Sequence, residues 1–174
     1  MSISPLPKSV DPFKLAEQAV ELKGEIALSQ LERLVSQLDD KSGVVEVFLS
    51  FGKDEEGIRF ITGRLSARLT LICQRCLEPL VVDLDASLHL GLVFSEEAAK
   101  QLPKRYDPIL LETNTLQLWE LIEEELLLSL PLVPMHDDQG CNSILAAQEQ
   151  QDQAPQRENP FAVLASLKKD SSEN

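Results

Sequence analysis

Between Val45 and Val93 apolar and polar residues alternate with a period of two, and this alternation is the strongest structural signal in the chain. Val45, Val47, Leu49 and Phe51 share one face of a strand. Gly52 to Gly57 then reads as a hairpin loop leading into a short return strand, Ile58 to Ile61. A longer strand is predicted from Arg64 to Cys73, with Leu65, Ala67, Leu69 and Leu71 inward and Arg64, Ser66, Arg68 and Thr70 outward. Leu80 to Val93 repeats the pattern, setting Val82, Leu84, Ala86, Leu88 and Leu90 against Asp83, Asp85, Ser87 and His89. Such one-sided burial predicts an antiparallel meander of four to five strands, one face on a core and the other in water.

Helical periods flank the meander. Asp11-Pro12 has the form of a helix start, Phe13, Ala16, Ala19, Val20 and Leu22 make an apolar stripe, and Gly24 ends it. After an extended piece from Glu25 to Leu28, Ser29 is the expected N-cap of a second helix buried through Leu31, Leu34, Val35 and Leu38, with Glu32 three residues past the cap. Ser95 to Leu102 predicts a short helix stopped by Pro103, and Pro108 to Leu111 a last short strand. Asn114 or Thr115 is then expected to cap a helix carrying Leu118, Trp119, Leu121, Ile122, Leu126 and Leu127, which Pro131 closes. Its Glu120 and Glu123 to Glu125 are expected on a solvated face, with docking of a basic partner as the sharper alternative. The expected fold class is α+β: an antiparallel meander with two N-terminal helices and one helix after the sheet.

A single domain is expected over residues 1–141. From 142 to 158 the composition turns to Gln, Asp, Ser and Glu, which predicts a flexible linker. Beyond it Asn159-Pro160 precedes an apolar run containing Phe161, Leu164 and Leu167, expected to form a short helix over 159–169 that docks on this domain or on a partner.

Composition narrows the function classes. The chain has 174 residues, 43% of them hydrophobic, enough for one well-buried core. Aromatic residues are only 5%, so stacking surfaces for bases are few. A formal charge of -13 repels phosphate backbones and favours basic partners. A local basic patch remains compatible with that, because exposed charges more than about 10 Å apart are largely screened. Met1 to Val10 lacks the continuous apolar run of a secretory signal, and no apolar stretch reaches spanning length, so a cytoplasmic protein without membrane contact is expected.

The three cysteines, an odd number, fit a disulfide framework poorly. Cys73-Gln74-Arg75-Cys76 lies where a strand ends and a turn at Glu78-Pro79 begins, a knuckle able to point two sulfurs at one ion. His136 and Cys141 follow far downstream and would complete a Cys3His set of the soft type that zinc prefers, if folding returns that loop to the hairpin. Packed thiols are the plain alternative. Redox chemistry is disfavoured because the motif follows a strand and does not open a helix, where a thiolate would be stabilised.

Arg59, Arg64, Arg68 and Arg75 cluster in the central strands as a candidate surface for RNA or another partner. Arg64 and Arg68 could equally cover the solvent face of their strand and pair with Asp83 or Asp85. His89, on the polar face, reads as a surface residue. No P-loop, nucleophile elbow or zinc-protease motif is present, so no enzyme and no catalytic residues are expected. A metal-dependent nuclease using Asp83 and Asp85 is the enzymatic alternative.

Taken together, Cys73-Gln74-Arg75-Cys76 with Pro79, the helix ending in Glu123-Glu124-Glu125-Leu126-Leu127-Leu128 and Leu130-Pro131, His136-Asp137 with Cys141, and the terminal Asn159 to Lys168 run resemble the bacterial YceD family, the large ribosomal RNA subunit accumulation proteins. The resemblance spans nearly the whole chain. It implies a role in synthesis, processing or stability of 23S ribosomal RNA, exercised on a basic ribosomal or rRNA-processing protein or on rRNA, directly or indirectly. It brings no catalytic residues.

Overall fold

The alternating segments form a five-stranded sheet, seen here in a computed structural model that describes residues 6–142. In chain order the elements are β1 (Ser9–Val10), α1 (Pro12–Glu17), β2 (Glu21–Ala27), a 3-10 turn (Leu28–Gln30), α2 (Glu32–Val35), β3 (Val44–Lys53), β4 (Arg59–Ile72), β5 (Pro79–Val93), α3 (Glu96–Gln101), β6 (Asp107–Leu110), β7 (Leu116–Gln117) and α4 (Leu118–Ser129). By contact density the chain divides into Met1–Met135, which holds all of these, and His136–Asn174. The class is α+β as expected. The sheet runs β2-β3-β4-β5-β6 and β1 pairs separately with β7. β2 to β5 form the expected antiparallel meander, whereas β6 joins β5 in parallel, with Leu90 opposite Asp107 and Val93 opposite Leu110.

Every residue predicted to face inward on β3, β4 and β5 is buried except Val82, which is half-buried. α1 packs on β3 and β4, and α4 on β5. Leu118, Ile122 and Leu126 of α4 are completely buried, each contributing about 1.5–3 kcal/mol of transfer free energy. The opposite face of the sheet is open: Phe48 is 36% exposed and the Arg64 side chain 70%.

Four boundaries differ from expectation, each for a tertiary reason. The return strand at Ile58 and the strand from Arg64 are one continuous β4. Gly63 looks like a break but serves close strand approach, since a Cβ there would sit 2.4 Å from the Phe48 carbonyl oxygen. α1 begins as expected, with Pro12 first and the Lys14 N–H donating to Asp11 Oδ1 at 3.0 Å, but it ends at Glu17. Ala19 then turns the chain at φ 50°, and Leu22 enters β2 opposite Leu49, so strand pairing overrides the helical stripe. The second helix shrinks to the four residues of α2, with Ser29 inside the preceding 3-10 turn. α4 starts at Leu118 and not after Asn114 or Thr115, because Leu116 and Gln117 are held extended against Val10 and Ser9.

α3 matches expectation, with Ser95 Oγ accepting the Ala98 N–H at 3.2 Å. The second unit is described only as far as Asn142 and contains a 3-10 turn, Gln139–Cys141. The expected linker beyond that point and the docking run with Asn159, Pro160, Phe161, Leu164 and Leu167 lie outside the described residues. No helix among the described residues is long and apolar enough to cross a membrane.

Candidate metal centre

The turn between β4 and β5 is built by main-chain bonds of the cysteine motif. The Cys73 N–H donates to the Glu78 carbonyl at 3.0 Å and its own carbonyl accepts the Leu77 N–H at 2.9 Å. Leu77 completes the turn at φ 63°, left-handed backbone that branched or bulky residues seldom adopt, and its side chain is 73% exposed. Cys73 is completely buried and Cys76 half-buried. The segment after α4 crosses this knuckle: the Gln74 N–H donates to the Pro134 carbonyl at 2.8 Å, and Arg75 Nη2 lies 3.6 Å from Met135 Sδ.

In the second unit His136 and Cys141 flank a tight local structure. Asp138 accepts the Gly140 N–H through its side chain at 2.9 Å and the Cys141 N–H through its carbonyl at 3.3 Å. Cys73 and Cys76 belong to the first unit and His136 and Cys141 to the second, and together the four residues make a Cys3His set compatible with zinc. Three thiols and one imidazole are soft ligands and no carboxylate belongs to the set, a choice that suits zinc and not magnesium or calcium.

The arginines are not gathered into one patch of unpaired cations. Arg59 Nε donates to Glu17 Oε1 at 2.7 Å, and its guanidinium lies 5.9 Å from the Phe13 ring centroid. Arg64 binds both Asp85 oxygens at 2.6 Å, while Arg68 reaches Asp83 only at 3.8 Å. The pairing of Arg64 and Arg68 with Asp85 and Asp83 is the solvent-face arrangement the strand pattern allows. The bidentate bond from Arg64 lowers the Asp85 carboxyl below its ordinary range against the opposing effect of burial, and Asp85 raises Arg64 in return. His89 is exposed, in register with Thr62.

Two polar anchors escape a reading of the sequence. Asp54, in the β3–β4 loop, accepts from Arg105 Nη2 at 2.8 Å, Tyr106 Oη at 3.1 Å and the Ile58 N–H at 2.8 Å. Burial pushes its carboxyl up, but these bonds, led by Arg105, outweigh it and the net shift is downward. Its signal was only the turn chemistry of Asp54 to Gly57. Glu123, expected in solvent, is 7% exposed, and nothing local to its helix announces that.

The described residues make a small α+β protein that carries a candidate Cys3His ligand set and a sheet whose outer face is open. The family model described as Large ribosomal RNA subunit accumulation protein YceD matches residues 61–168, a span that contains all four donors and the terminal apolar run. The Large ribosomal RNA subunit accumulation protein YceD of Haemophilus influenzae is 37% identical over 169 residues, covering 94% of this chain and 96% of that protein. The chain belongs to the YceD family. No solved structure matches it.

Proposed function

We propose that this chain is a cytoplasmic, non-enzymatic factor that supports accumulation of the large-subunit 23S ribosomal RNA by binding another macromolecule. The observation that carries this reading is end-to-end similarity to a protein named for that role. The net charge of -13 favours a basic ribosomal or rRNA-processing protein as the partner, since opposite fields steer association. In this reading residues 1–141 act as one domain, 142–158 as a tether, and Asn159, Pro160, Phe161, Leu164 and Leu167 as a docking motif. Zinc on Cys73, Cys76, His136 and Cys141 would serve structure: it would hold the β4–β5 knuckle and lend its binding free energy to folding.

Direct contact with rRNA through Arg59, Arg64, Arg68 and Arg75 is the alternative partner, and the ion pairs already made by three of them weigh against it. A nuclease centred on Asp83 and Asp85 is weaker still, because Arg64 occupies both Asp85 oxygens.

Deletion of the gene, with 23S RNA measured against 16S RNA, tests the role: a selective loss of 23S, restored by the intact chain, is expected. Unchanged ribosome particles, or cleavage of an rRNA precursor by the purified protein, would overturn it. Protein purified without chelator should carry about one zinc per chain. Cys73→Ser and Cys141→Ser should lose both the metal and thermal stability, and metal-free protein of unchanged stability would remove the structural site.

A further inference from the structure

On the open face of the sheet each cation already has a carboxylate. Lys23 lies 3.5 Å from Glu21, Arg64 holds Asp85, and Arg68 faces Asp83. Two carboxylates are left over. Glu25 and Glu46 stand directly opposite each other on β2 and β3, and among the described residues neither has an ion-pair partner. Like charges directly opposite on a sheet are unfavourable, so this pair favours an incoming cation.

The same cross-strand row continues through Ser66 to Asp85. Ser66, a small residue between two acidic ones, leaves an open recess of about 430 Å³ whose walls include Glu46, Asp83, Asp85 and the 43% exposed Val44. Among the described residues Arg68 is the one cation at its rim. It is held weakly: the contact to Asp83 is 3.8 Å, and the two side chains are 75% and 81% exposed, so an incoming group displaces it at little cost.

We infer that this sheet face is the docking surface for a basic protein segment, one of whose Lys or Arg side chains enters the recess over Ser66. Its aliphatic stem would lie on Val44 and its charged end between Glu46 and Asp83, since Arg64 already holds both oxygens of Asp85. A neutral or acidic partner would leave the Glu25–Glu46 repulsion in place, whereas a cation removes it. RNA would add phosphates to a face that is already net negative. The inference rests on the basic-partner reading above and says where on the chain that partner sits.

The test uses the full chain and a labelled oligolysine peptide, with fluorescence anisotropy for affinity and amide chemical shifts for location. Shifts centred on Glu46, Ser66 and Asp83 are expected, and the Glu46→Gln, Asp83→Asn double variant should bind about ten-fold more weakly at low salt. The Glu120→Gln, Glu124→Gln double variant removes the same charge from α4 and should bind as the parent does. Equal weakening by both doubles, or shifts centred elsewhere, overturns the sheet-face site while leaving a basic partner standing. No binding of oligolysine, or preferential binding of single-stranded RNA across Arg64 and Arg68, overturns both.

Discussion

Glu123 Oε1 accepts the backbone N–H of Arg33 at 2.8 Å and that of Leu34 at 3.1 Å, so a carboxylate of α4 caps α2 from 90 positions away. α2 has no side-chain cap of its own, and at four residues it cannot persist without tertiary support. The carboxylate is buried in return for two hydrogen bonds to N–H groups that would otherwise lack partners.

Glu123→Ala should therefore destabilise the protein by on the order of 3 kcal/mol in urea unfolding, because two N–H groups near the core lose their acceptor. Glu123→Gln keeps an acceptor oxygen and should recover most of that. Equal stability of the alanine variant and the parent would show the cap to be dispensable.

Glu125 behaves oppositely. Burial, followed by the charges of Asp107 and Glu124, raises its carboxyl above the ordinary value. A carboxyl raised in the folded state favours folding below its unfolded value near pH 4, and that advantage is lost as pH rises through the folded value. Glu125→Gln should accordingly raise the Tm at pH 7 and make little difference below about pH 4. A variant destabilised at neutral pH would refute this account of the acidic cluster.

A third expectation concerns Gly63, where an added Cβ would meet the Phe48 carbonyl oxygen at 2.4 Å and Leu49 Cδ2 at 2.6 Å. The first of these is backbone and cannot rotate away. Gly63→Ala should lower the Tm by about 4–8 °C, the equivalent of roughly 2 kcal/mol of overpacking strain. Calorimetry that finds no change would mean that β3 and β4 separate there without cost.

Signals confined to a few neighbouring residues were legible. The two-residue period of β3 to β5 assigned nearly every inward side chain, because the pleat alone sets that alternation. Pro12, Ser95 and Pro131 marked helix ends through missing or satisfied N–H groups, which are properties of single positions. The candidate ligands stood out for the same reason, since spacing and donor type are written into Cys73-Gln74-Arg75-Cys76 and into His136 with Cys141.

By itself, then, the sequence determined the α+β class, the one-sided meander and the acidic charge. Tertiary structure decided that β6 runs parallel to β5, that β2 displaces half of a helix, that β1 takes Leu116 and Gln117 from the start of α4, and that Glu123 turns inward. Each of these depends on a partner far along the chain. Local propensities differ by only about 1 kcal/mol, and a single distant strand pairing or buried hydrogen bond is enough to reverse them.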